Sequence, residues 1–305
     1  MPSLNLTATP TSLTLVPPSV AHEARLGSYV IVGTLGAYIW DLLSNLNNDY
    51  KLLTEHRVEL TTFVYFFSRL WTLLVLVSST LFQTYPLYHC ALAHTLVLVC
   101  YAIAVPLTCL LFFLRARAIF NRDPFPTLLL FCLWLVVVGT AAAFPFSSTA
   151  APRGSTGFCA VIGFRPYTGA MGIAGATHDT AAFAAISWRL FANAGAHTGG
   201  GLTDRIGTLV TGKHLPRFSQ ALLKDGQLYY LITTAGNTAA AVLFYGGVAP
   251  QQRGMLAACD VALVNAAACH VFRHTKLAAP RGAAASLVFS MPRSSGAVYV
   301  SKVEE

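Results

Sequence analysis

The sequence predicts an all-α polytopic membrane protein with seven transmembrane helices, N-terminus outside and C-terminus inside. Three observations predict it. The 305-residue chain is 55% apolar and only 10% charged, against about 25% charged residues in soluble domains. Its apolar residues gather in blocks of roughly 20, the length that crosses about 30 Å of hydrocarbon at 1.5 Å per residue. Its few charges sort to the ends of those blocks rather than along one face. An ordinary cytosolic enzyme, a disordered chain, a coiled coil and a collagen-like fibre are excluded on the same grounds.

Residues 1–26 are rich in Thr, Ser and Pro and lack the basic, apolar and small-residue zones of a cleavable signal. They read as an extracellular or lumenal segment, so span one is the expected insertion signal. The seven-helix domain occupies 27–273. Span one covers 27–46, and the polar stretch NNDYKLLTEHRVE follows it as a loop. Span two covers 60–82. Span three covers 90–114, with Pro106 inside it, which membrane helices tolerate when neighbours satisfy the freed carbonyl. Span four covers 126–146, and a Gly/Pro/Ser loop runs from Ser147 to Arg165. Span five, 166–192, is the least apolar. It is built from Gly, Ala and Thr, which suits close packing on other helices. A long loop runs from Asn193 to Leu223. Spans six and seven cover 225–248 and 255–272, and the Ala/Ser/Arg-rich tail 274–305 is expected to be cytoplasmic and disordered.

Charge sets the orientation. With the N-terminus outside, the outer segments hold four basic residues, Arg25, Arg153, Arg165 and Arg253. The inner segments hold fifteen, and Arg69 lies within span two. This is a positive-inside bias. The net charge of +8 is therefore a topology signal and a contact to anionic lipid heads, not a nucleic-acid footprint. The sequon Asn5-Leu6-Thr7 falls on the outer side and is a glycosylation candidate. Cys90 and Cys159 also fall there, in an oxidising compartment where a disulfide persists; two free thiols are the alternative. The other five cysteines lie within spans and read as small apolar residues.

Ionisable groups inside the spans need partners or water, because each costs several kcal/mol in hydrocarbon. Asp41 and Arg69, on consecutive helices, form a candidate structural ion pair. The alternative has Arg69 snorkelling to the interface. His178 and Asp179, mid-depth in the small-residue span, are candidates for a ligand-pairing or proton-responsive centre, or else for a hydrogen bond that fixes packing. Side chains of adjacent helical residues point about 100° apart, so joint ligation of one ion is not expected. Asp260 in span seven completes the set. His270 and His274, at i and i+4, share a helix face and are a candidate zinc pair. The stretch Gly207–His214 approximates a phosphate-binding loop but lacks its hydroxyl, and reads as a basic inner loop. No cofactor is expected.

Layout invites one resemblance. Seven spans with an outer N-terminus, and a disulfide from span three to the second outer loop, resemble the G-protein-coupled receptor plan. The motifs depart from it. Leu114-Arg115-Ala116-Arg117 stands where an acidic-Arg-Tyr motif should end span three, and Asn265-Ala266-Ala267-Ala268-Cys269 replaces the Asn-Pro motif of span seven. A closer resemblance covers most of 27–276. The strings Trp40-Asp41, Asp49-Tyr50, Tyr65-Phe66, Ser68-Arg69, Phe82-Gln83-Thr84, His178-Asp179-Thr180, Ser187-Trp188-Arg189, Asp225-Gly226-Gln227 and Val271-Phe272-Arg273 are similar to those of uncharacterised basidiomycete fungal multi-pass membrane proteins. That resemblance implies the seven-helix fold and no activity.

The expected function is receptor-like or sensory, with an unidentified small ligand in a cavity lined by spans three, five, six and seven. A protein partner would meet the basic inner loops, and the lipid bilayer surrounds the rest. A small-solute carrier or channel is the alternative. The second alternative is a zinc-dependent seven-helix hydrolase of lipids.

Overall fold

The computed structural model describes residues 18–54, 59–120, 123–152, 157–198, 232–242, 245–246 and 250–278. Its elements are α1 (Pro18–Ser44), α2 (Leu46–Thr54), α3 (Leu60–Thr84), α4 (Cys90–Ile119), α5 (Pro124–Ala143), a short 3-10 turn (Phe144–Phe146), β1 (Ser148–Pro152), β2 (Cys159–Phe164), α6 (Ala170–Thr198) and α8 (Pro250–Ala278). A helical stretch at 232–242 is α7. Asn5, the Gly207–His214 stretch, Asp225, most of the expected loop after Asn193 and the tail beyond 278 lie outside the described residues.

Five of the described helices contain segments long and apolar enough to cross a bilayer: Arg25–Ser44, Leu60–Thr84, Cys90–Ile119, Pro124–Phe146 and Gln252–Leu277. Helix α6 has 29 residues, but its Gly/Ala/Thr composition keeps it below that apolar standard. Hydropathy and burial diverge in the expected direction. Helix α5 buries only Leu130, Val137 and Ala141, a single stripe at helical spacing. Leu128, Leu129, Leu135 and Val136 face outward. A helix apolar all round that buries one stripe has its remaining faces suited to lipid.

Helix α4 is the hub, packing against α3, α5, α6 and α8, while α1 closes the bundle against α3 and α8. Pro106 lies within the continuous α4 and leaves the Ala102 carbonyl without its usual helical donor. Trp134 of α5 donates its indole N–H to the Pro106 carbonyl at 3.0 Å, which ties α5 to α4 at this turn. Two apolar clusters stack along the bundle. One surrounds Leu52, Tyr65, Phe112 and Cys269; the other surrounds Ile31, Val75, Tyr101 and Ala258.

Two segments expected to be loops are ordered. Residues 46–54 form α2, which folds back to bury Asp49 and Leu52. Strands β1 (Ser148–Pro152) and β2 (Cys159–Phe164) pair antiparallel, with an irregularity at Thr149/Ala150. The Cys90–Cys159 disulfide, with Cα atoms 5.4 Å apart, fastens this hairpin to the start of α4. Gly157 approaches β2 with φ +72°, a left-handed conformation that favours glycine, and its carbonyl accepts from Leu87 N–H at 2.9 Å. His94 Nε2 meets Ser148 Oγ at 2.8 Å, which holds β1 to α4.

The helix boundaries also shift. Helix α1 starts at Pro18 rather than near Gly27, and α8 continues past residue 273 to Ala278.

Candidate functional site

Beneath the hairpin lies a cavity of about 470 Å³, within the range of small-molecule sites. Its upper lining includes Arg25, Phe158, Phe164 and Arg253, and its walls include Phe82, Tyr101 and Phe144. Its lower lining comprises Thr108, Cys109, Asp179, Asn237 and Asp260. Helical geometry gives the depth. Asp179 lies nine residues into α6 and Asp260 ten residues into α8, about 14–15 Å along each axis at 1.5 Å per residue.

The small residues of α6 make this floor. Gly175 faces α4, where an added Cβ would meet Val105 Cγ1 at 3.7 Å, an ordinary van der Waals contact. His178 and Asp179 are both buried, and His178 Nδ1 lies 3.1 Å from Asp179 Oδ1. The buried His178 Nε2 has no hydrogen-bond partner. Cys109, His178 and Asp179 bring ligand atoms within 4.8 Å of one another, and they are the one such group that fits a metal ion among the described residues. The sequence expectation that adjacent helical side chains diverge misses this convergence, because rotation about the side-chain bonds closes the gap. Asn237 of α7 stands between Asp179 and Asp260.

Below the floor, a hydrogen-bonded relay crosses the bundle. Asn265 of α8 is fully buried. Its Nδ2 donates to Thr108 Oγ1 at 2.9 Å. Its Oδ1 accepts from Tyr38 Oη at 2.7 Å. The Tyr38 hydroxyl also lies 3.4 Å from the Arg69 carbonyl oxygen. It has one proton to donate, and the shorter contact takes it.

The relay ends at Tyr38, which packs against the backbone of Arg69, and the Arg69 side chain belongs to an ionic cluster. Arg69 Nη2 meets Asp41 Oδ2 at 3.3 Å, so the two residues singled out from sequence are paired. The pair belongs to a larger set. Arg69 Nη1 also binds Asp49 Oδ2 of α2, and Arg273 Nη2 of α8 reaches Asp41 Oδ1 at 3.6 Å. Tyr65 sits among them. It donates to Asp49 Oδ1 at 2.6 Å and accepts from Arg69 Nη1 at 2.8 Å and Arg273 Nη1 at 2.9 Å. Two guanidinium groups and two carboxylates neutralise one another, as burial of ions requires.

Sequence reasoning missed Asp49, Tyr65 and Arg273. Tyr65 and Arg69 at i and i+4 share a helix face, a signal available without coordinates. His270 and His274 stack with ring centroids 6.5 Å apart, and among the described residues they belong to no group of three metal-ligating side chains.

No protein-family model matches the chain, and no curated protein matches it.

Proposed function

We propose that the protein is a seven-helix multi-pass membrane receptor, N-terminus outside, of the basidiomycete fungal group its motifs resemble. A small ligand enters the cavity beneath the disulfide-fastened hairpin and biases the ionic cluster at the opposite end. A protein partner reads that change at the basic inner loops. The hydrogen-bonded chain from Thr108 through Asn265 to Tyr38 carries this reading, because it links a lining residue of the cavity to a hydroxyl packed 3.4 Å from the backbone carbonyl of Arg69, a member of the cluster. A ligand shifts an equilibrium only through differential contacts with two states, and a shared buried relay is an element on which both ends can act.

The test uses the full chain in nanodiscs with spin labels at Tyr50 of α2 and Arg117 near the end of α4. Compounds that raise the thermal midpoint are screened, and interlabel distances are measured with each. A changed distance distribution supports the receptor. Unchanged distances with every stabilising compound overturn it, and compound flux across vesicles that depends on Asp179 favours a carrier.

A further inference from the structure

We infer that the floor of the cavity takes a small organic monocation, a protonated amine on an apolar body, seated beside Asn237 and against Asp179 and Asp260. The inference deepens the receptor reading and rests on its cavity being a ligand site.

The argument begins with Asn237. Its amide stands between the two carboxylates and has two orientations. In one, Nδ2 lies 3.4 Å from Asp179 Oδ2. In the other, the nitrogen donates to Asp260 Oδ2 at 2.9 Å and approaches Oδ1 at 3.3 Å. The second orientation satisfies both ends of the amide, so Asn237 serves Asp260 as a donor. That neutral donor leaves the charge of the two acids unbalanced, and Asp179 is only 2% exposed. Carboxylates inside a membrane-spanning bundle need a partner of opposite charge, so the site calls for a group that brings positive charge.

The described floor residues do not bring it. Thr108, Cys109 and Asn237 are neutral, and His178 engages only Asp179 Oδ1. Arg253 lies seven residues before Asp260 on α8, about 10 Å along the axis, and stands over the Phe164 ring of the hairpin at 5.5 Å. An ammonium group brings a positive charge and three donors, enough to reach both acids and the Thr108 hydroxyl oxygen. The remaining volume favours an organic cation over a bare ion. About 470 Å³ lined by Phe82, Tyr101 and Phe144 accommodates an apolar body, and aromatic faces attract cations. Asp260 lies outside the Cys109–His178–Asp179 group that fits a metal, so a metal there leaves the second acid unexplained.

The test titrates the full chain in nanodiscs at neutral pH with 2-phenylethylamine, 2-phenylethanol and 3-phenylpropionate, a cation, a neutral analogue and an anion of similar size. Calorimetry is expected to show the amine binding at least tenfold tighter than the alcohol, and the anion weakest. Asp260→Asn is expected to bring the amine-to-alcohol ratio near one while alcohol affinity stays within twofold. Asp179→Asn does the same wherever it folds; the less buried Asp260 provides the variant that keeps the test decisive. Equal affinities for amine and alcohol, or a ratio unchanged in Asp260→Asn, overturn the monocation and leave the cavity reading standing. Binding of none of the three probes overturns both. Zinc that blocks the amine, and fails to do so in Cys109→Ser, also overturns the monocation and assigns the floor to a metal.

Discussion

Arg273 Nη1 donates to Tyr65 Oη at 2.9 Å, joining residues 208 positions apart in the chain. The same oxygen accepts from Arg69, and its proton goes to Asp49. One phenol thus uses its single donor and both acceptor positions to tie α2, α3 and α8. Tyr65→Phe keeps the ring, with its stacking on Phe272 at 5.0 Å, and removes all three bonds. Buried groups left unpaired cost about 1–3 kcal/mol each. Tyr65→Phe is expected to lower stability by about that amount or more, read from chemical unfolding in detergent. The exposed Tyr50→Phe is the control, and equal stability of the two variants would refute the bridging role.

Arg69 is held by geometry as much as by charge. Its fork addresses Asp41 through Nη2 and both Asp49 and Tyr65 through Nη1, and its guanidinium lies 5.4 Å from the Tyr65 ring centroid. Removing one partner of a buried ionic set costs about 3–5 kcal/mol, the loss expected for Arg69→Met. Lysine restores the charge as a point, without the planar fork. Arg69→Lys should therefore recover less than half of the loss in the same unfolding measurement. Full recovery by lysine would show that charge alone matters.

The hairpin depends on its disulfide. Cys90 and Cys159 are paired, and Cys100, Cys109, Cys132, Cys259 and Cys269 are free. Maleimide labelling after denaturation should modify five thiols without reductant and all seven cysteines with it. Closing a loop across 69 positions is worth roughly 4 kcal/mol in the chain-entropy model. Cys159→Ser is expected to lower stability by up to that amount. Seven labels without reductant would remove the pairing.

Legibility in the sequence followed solvent contact. Helices with wide outward faces, such as α5, advertise themselves by hydropathy, and their expected spans lie close to the observed ones. Helix α6 is packed, so its glycines and alanines weaken that signal while making room for His178 and Asp179. Helix α2 reads as a loop because Asn47, Asn48, Asp49 and Lys51 lower its hydropathy. Only the inward turn of Asp49 and Leu52 makes it a packed helix. The hairpin is hidden because its strands, Ser-Thr-Ala-Ala-Pro and Cys-Ala-Val-Ile-Gly-Phe, are short and do not alternate apolar with polar residues.

The same logic sorted the polar residues. Asp41 and Arg69 stood out because charge inside an apolar block is rare. Asp49 and Arg273 did not, since each lies in or beside a segment where charge is ordinary. Asn237 and Asn265 are uncharged amides and escape a search for charge, although each stands at a junction of three elements or of two acids.

Asn265 provides the sharpest test of communication along the bundle. Thr108 donates to the Ala104 carbonyl at 3.0 Å and accepts from Asn265, while Tyr38 donates to Asn265 from the other side. Thr108 and Tyr38 thus act on one amide held between α4 and α1. If that amide is a shared element, removing either hydroxyl frees Asn265 to shift toward the remaining partner. The second removal then costs a different amount from the first. Thr108→Val, Tyr38→Phe and the double variant form a cycle whose coupling energy should fall within about 0.5–3 kcal/mol, the range for residues in one hydrogen-bonded network. Repeating the cycle with Asn265→Leu should abolish the coupling, because the common partner is gone. Additivity within about 0.5 kcal/mol in the parent chain, the behaviour of independent sites, would mean that the floor of the cavity and Tyr38, beside the ionic cluster, respond separately.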